Sequence, residues 1–157
     1  MARALKRRTS VATERAPSRM AGYALEAQIG FVLRKAQQRA TAIFARHFGR
    51  HQLTPTQWTT LVRIQQYGSL SQNHLGRLTA MDPATIQGVV KRLIERKLVT
   101  RIADPDDRRR KRLGLTQAGQ RLARRLVANA FKVSRDTLRP LAKREQTLVL
   151  DLLERLG

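Results

Sequence analysis

Ile29, Val32, Ala36, Ala40, Ile43, Phe44 and Phe48 recur at helical spacing, which predicts one long helix from about Gly22 to Phe48, stopped at Gly49. Thr54-Pro55 then reads as a cap followed by the first position of a second helix carrying Trp58, Leu61 and Val62, closed by Tyr67-Gly68-Ser69. Ser71 caps a short third helix with Leu75 and Leu78 turned inward, and Thr79-Ala80-Met81 is the turn into a fourth. That helix opens with Asp82-Pro83. Ile86, Val90 and Leu93 share one of its sides, flanked by Val89 and Ile94, while Thr85, Gln87, Gly88, Lys91 and Arg92 fall largely on the other.

Leu98 to Ile102 alternates as a strand, and Lys111 to Leu115 can return antiparallel to it. The run DPDDRRRKR between them, Asp104 to Arg112, becomes the tip of a hairpin. Thr116 caps a fifth helix striped by Leu122, Leu126, Ala130 and Val133, expected to reach about Pro140, and a last helix presents Leu148, Val149, Leu152, Leu153 and Leu156. The fold class is therefore mainly α with a small β-hairpin wing: a winged helix-turn-helix, a DNA-docking module, over about residues 53–116. Long helices at about 22–48 and 117–157 flank it. Their apolar stripes need a surface to pack on, and a partner subunit is the economical one, because two-fold symmetry sets two recognition helices on successive major grooves of a palindrome. The bland alternative folds these helices back on their own lobe as a thin monomeric core.

Charge identifies the partner class. Lys and Arg total 32 against 11 Asp and Glu, a net charge of +21 in 157 residues, so nucleic acid or another anionic surface is expected. Residues 1–20 hold Arg3, Lys6, Arg7, Arg8, Arg15 and Arg19 against Glu14, with few large apolar side chains, and read as a basic arm that is mobile when free; residues 21–157 read as one domain. Cysteine is absent, which removes disulfides, thiolate metal sites and thiol nucleophiles, and no apolar run is long enough to span a membrane. A cytoplasmic location is expected.

On the wing, Arg108, Arg109, Arg110, Lys111 and Arg112 are the candidate run for DNA contact, with Arg109 the foremost; strand alternation keeps some of the five from the groove, and such runs are commonly just solvated. On the fourth helix the readers are Thr85, Gln87, Lys91 and Arg92. Gln87 has the geometry for adenine, while Lys91 and Arg92 suit phosphate or guanine. Ser71, Gln72 and Asn73, at the start of the third helix, can reach phosphate or merely cap that helix. His47 and His51 have the i, i+4 spacing of a zinc pair, but two ligands are too few and no metal is expected. No phosphate-cradling glycine loop, nucleophile elbow or HExxH motif occurs, and Asp104, Asp106 and Asp107 sit among arginines as ion-pair partners. The chain reads as no enzyme, without a cofactor.

Residues from about 25 to 157 resemble the MarR type of winged-helix transcription regulators. The resemblance rests on LTPTQW (Leu53 to Trp58), MDPATIQGVVKRLIERKLV (Met81 to Val99) and DPDDRRRKRLGLTQAG (Asp104 to Gly119), the last being the most specific. It implies that Asp107 fixes Arg109 by an ion pair and sends it into the minor groove. Two departures stand out. Lys97 occupies the position of a glycine that ends the recognition helix in a left-handed turn, so the turn either carries strain of about 1 kcal/mol or differs in shape. Gly88 stands where a longer side chain often meets DNA.

The resemblance further implies a homodimer on a pseudo-palindromic operator, acting as a repressor released by a small anionic effector. The similarity is closest to regulators of aromatic-compound breakdown, so the effector expected is an aromatic acid or its coenzyme A thioester. It would lie beside Trp58, with Arg34, Arg46, His47 and His51 as candidate cations, each of which also has an ordinary surface role. Two rivals come from other classes. One is an architectural protein coating DNA without regard to sequence; the other is an RNA-binding ribosome-associated protein, which seven aromatic residues lying mostly on helix stripes suit poorly.

Overall fold

The computed structural model describes residues 22–105, 107 and 109–157; the expected basic arm, Asp106 and Arg108 lie outside them. The chain divides into two units, with the boundary inside the first long helix between Lys35 and Ala36.

In the first unit, the single helix expected from Gly22 is instead a 3-10 turn, Leu25–Ala27, followed by helix α1, Ile29–Phe48. Gln28 separates them in an extended conformation, and its side-chain amide donates to the Ala24 carbonyl at 3.2 Å. That local bond competes with continuation of the helix. Leu25, Ile29, Val32 and Leu33 are exposed here, and the Lys35 ammonium lies over the Phe31 ring.

The second unit continues through α2 (Pro55–Tyr67), β1 (Ser69–Leu70), α3 (Gln72–Leu78), α4 (Pro83–Glu95), β2 (Val99–Ala103), β3 (Lys111–Leu115), α5 (Gln117–Leu138) and α6 (Lys143–Glu154). The capping signals work as the sequence says. Thr54 and Gln57 form a reciprocal box at α2, the Ser71 hydroxyl accepts from the His74 N–H, and Thr116 accepts from the Gly119 N–H. The Asp82 carboxylate accepts the N–H groups of Ala84 and Thr85 together with the Thr85 hydroxyl. The Thr85 hydroxyl bond, with the backbone ones, holds the Asp82 carboxyl below its usual range.

The sheet has three strands in the order β1-β3-β2, both pairs antiparallel. The hairpin was expected; β1 was not, because two residues after a turn carry no alternation to read. The core gathers Phe48, Leu61, Ile64, Leu75, Leu93 and Leu126, with Phe44 stacked on Phe48 at 4.1 Å and Phe48 against Trp58 at 5.1 Å. Val89 is as buried as Val90, so α4 sinks a broader face than its central stripe alone.

Helix α4 ends in a Schellman turn. The Lys97 N–H bonds the Ile94 carbonyl at 2.8 Å, the Leu98 N–H bonds Leu93 at 3.0 Å, and Lys97 itself is left-handed at φ 56°. The turn keeps the shape a glycine would give it, so the lysine bears the strain. Immediately beyond, α5 presses on the same junction: a Cβ at Gly119 would lie 2.1 Å from the Leu98 carbonyl oxygen. No described helix is long and apolar enough to cross a membrane.

Candidate nucleic-acid interface

Sinking Ile86, Val89, Val90 and Leu93 into the core leaves Thr85, Gln87, Lys91 and Arg92 exposed along the opposite side of α4. Gly88 lies between them with no atom within 4 Å of where its Cβ would be, which makes a shallow notch rather than a packed contact. Thr85 already donates its hydroxyl hydrogen to Asp82 and keeps only acceptor capacity for a base or phosphate. At the start of α3, Ser71 and Asn73 are exposed and Gln72 is half-buried. Because the Ser71 oxygen accepts the capping bond, its hydroxyl hydrogen is still available to donate.

The wing tip departs from the expected pairing. One Asp107 carboxylate oxygen accepts the backbone N–H of Arg109 at 2.9 Å, and the other lies 3.3 Å from the Arg110 guanidinium. Among the described residues it is thus Arg110, not the Arg109 side chain, that pairs with Asp107. The Arg110 N–H bonds the Asp107 carbonyl, closing a four-residue turn that sets its first and last side chains together. Arg109 is exposed at the tip. Arg108 is outside the described residues. Arg112, part of the same basic run, belongs to the scaffold: its guanidinium donates to the Ser69 carbonyl at 2.8 Å and lies 3.9 Å from Asp104.

The expected effector residues do not converge. Trp58 lines a cleft of about 420 Å³ between α2 and α5, together with Val62, Arg124, Val127 and Phe131. Arg34 is exposed in the first unit and Arg46 is exposed on α1. His47 reaches Asp136 on α5 at 2.8 Å, and its carbonyl accepts from Asn129. The histidine's hydrogen bond, followed by that of Arg135, holds the Asp136 carboxyl below its ordinary range. His51 lies beyond the end of α1 in the 3-10 turn Gly49–His51; burial, then Arg125 and Arg50, push its imidazole pKa down. None of these four lines the cleft. The cation that does, Arg124, was missed together with Phe131. Their signal was a second stripe on α5, Ala123, Val127, Phe131 and Ser134, each one position beyond the stripe of Leu122, Leu126, Ala130 and Val133. Among the described residues no three His, Asp or Glu side chains gather as a metal site.

An exposed polar helix face flanked by a basic hairpin is the geometry of a winged-helix DNA reader. Residues 51–110 match the model of the MarR family. Over 134 residues, 85% of each chain, the protein is 39% identical to the HTH-type transcriptional repressor NicR of Pseudomonas putida. The chain belongs to the MarR family. Solved MarR-like neighbours agree in fold. A probable transcriptional regulator from Pseudomonas aeruginosa is 50% identical with a TM-score of 0.82, the match covering 85% of this chain and all of the other. BpsR of Bordetella bronchiseptica, whose DNA binding is described as regulated by 6-hydroxynicotinic acid, is 34% identical with a TM-score of 0.81, covering 85% and 96%. As a MarR-type transcription regulator the protein has the expected fold class, a mainly helical winged helix-turn-helix whose wing is completed by β1.

Proposed function

We propose that this protein is a homodimeric, cytoplasmic repressor that reads a pseudo-palindromic operator and is released by a small anionic aromatic effector, an aromatic acid or its coenzyme A thioester. The observation that carries the DNA-reading part is the exposure of Gln87, Lys91 and Arg92 on α4 and of Arg109 and Arg110 on the wing. A helix in the major groove and a guanidinium in the narrow minor groove would together give sequence preference. Ser71, Asn73 and the rest of the basic surface would hold phosphate.

Dimerisation through residues 22–48 and 117–157, around a reading lobe of residues 53–116, is supported by apolar surface left uncovered in each unit. Ile29 and Val32 are exposed in the first, and Phe131, Leu148, Leu152 and Leu156 in the second, with Phe131 73% exposed. Repression is supported by the likeness to NicR, and an aromatic acid by the likeness to BpsR. The α2–α5 cleft suits such a ligand, since Trp58 and Phe131 offer flat apolar surface and Arg124 a cation for a carboxylate. The effector would act through unequal affinity for two positions of α5 relative to the reading lobe.

The test begins with recovery of the preferred duplex from fragmented genomic DNA by the purified protein. Aromatic acids and thioesters are then screened by thermal shift and by release of that duplex. Release by an aromatic anion that fails with Arg124→Ala supports the reading; a protein that prefers no fragment refutes it.

A further inference from the structure

Arg96 is the residue at which the reading helix is fastened to the rest of the lobe. It caps the C-terminus of α4, and its half-buried guanidinium reaches back to the connection between α1 and α2. There one terminal nitrogen donates to the Gln52 carbonyl at 2.6 Å and the other to the His51 carbonyl at 2.8 Å. These carbonyls belong to consecutive residues, and Gln52 holds a left-handed conformation at φ 51°. A planar fork meets two acceptors at once and fixes direction as well as distance, which an ammonium on a flexible stem does not.

The other side of the same junction is fastened too. The next residue, Lys97, gives its carbonyl to the Thr116 hydroxyl at 2.7 Å, and Thr116 is the cap of α5. The last turn of α4 is therefore held between the end of α1 and the start of α5. Among the described residues, no side chain other than Arg96 bonds the His51 and Gln52 carbonyls.

We infer that Arg96 is a positioning residue for operator selection: it sets the angle of α4 through the α1–α2 connection, without touching DNA itself. This rests on the DNA-reading function proposed above. Base-edge contacts require the helix to lie in one orientation, whereas binding to random duplex is almost wholly electrostatic and tolerates a loosened helix. Loss of the fork should lower affinity for the chosen sequence and leave random binding nearly intact.

The experiment uses the full chain, wild type, Arg96→Lys and Arg96→Met, on a duplex selected by the wild type and on a random duplex across a salt series. The expected result is a fall of about tenfold or more in the selected-to-random affinity ratio for both variants, tenfold being about 1.4 kcal/mol. For Arg96→Met, the slope of log affinity against log salt on random duplex should match wild type. Full selectivity in Arg96→Lys overturns the fork, since charge alone would then suffice. A slope reduced by about 2 per dimer in Arg96→Met overturns it as well, because it makes Arg96 a phosphate contact. A cooperative melting transition like that of wild type shows that a variant is folded. Wild-type protein without sequence preference would instead defeat the functional reading on which this inference rests.

Discussion

Alanine in place of glycine should have opposite effects at two helical positions of this protein, Gly119 and Gly88. At Gly119 the new Cβ would lie 2.1 Å from the Leu98 carbonyl oxygen and 3.0 Å from its carbonyl carbon, so backbone must move by about 1 Å to reach ordinary contact. That oxygen accepts the Thr116 N–H at 3.1 Å and, at 3.3 Å, a share of the hydroxyl hydrogen that Thr116 gives chiefly to the Lys97 carbonyl, so the shift also strains the α5 cap. Overpacking costs about 1–3 kcal/mol, and two weakened hydrogen bonds cost about 1 kcal/mol each. Alanine's better helix propensity returns about 1 kcal/mol. The net loss for Gly119→Ala is about 2–4 kcal/mol, a fall in melting temperature of about 5–15 °C for a chain of this size. At Gly88 nothing lies within 4 Å, only the propensity gain remains, and Gly88→Ala should melt about 2–4 °C higher. Calorimetry on both variants at one matched protein concentration decides the matter. A Gly119→Ala protein as stable as wild type would refute the close approach of α5 to the turn after α4.

Lys97→Gly should relieve the left-handed strain at φ 56° and raise stability by about 0.5–1 kcal/mol, read as a higher denaturant midpoint with an unchanged slope. The Asp82 carboxyl is held below its ordinary value of 3.8, so its contribution is present above that value and is lost as pH falls through the lower folded one; Asp82→Asn should flatten the melting-temperature profile below about pH 4. Arg109→Ala should reduce the salt slope of operator binding by about 2 for the proposed dimer, one counterion per copy, and an unaltered slope would remove that side chain from phosphate and groove alike. Asp107→Ala should weaken operator binding although it deletes a negative charge, because the turn that organises the wing tip is lost; tighter binding would contradict that role.

Much of the fold was legible because its boundaries are local chemistry. Thr54-Pro55, Ser71, Asp82-Pro83 and Thr116 each announce a helix start within a few residues, whereas the left-handed turn at Lys97 was implied by the family resemblance and not by the stripe of α4. What failed to show depends on partners distant in sequence or on competition at a single residue. Strand β1 exists because Leu70 finds Leu113, and His47 meets Asp136 across 89 positions. Gln28 interrupts the first helix through one side-chain bond that periodicity ignores. The wing acid has two nearby arginines, and turn geometry rather than spacing chooses Arg110. The α2–α5 cleft was half visible: Trp58 stood out as the lone tryptophan, whereas Arg124 is one arginine among many until α5 is placed against α2.

The central claim is that the exposed face of α4 and the wing select a sequence rather than merely attract a polyanion. Its most direct test is a competition between a duplex selected by the protein and random duplex of equal length, at 0.15 M salt or thereabouts. The account predicts a preference of about a thousandfold or more for the selected duplex. Equal affinity for both would contradict it.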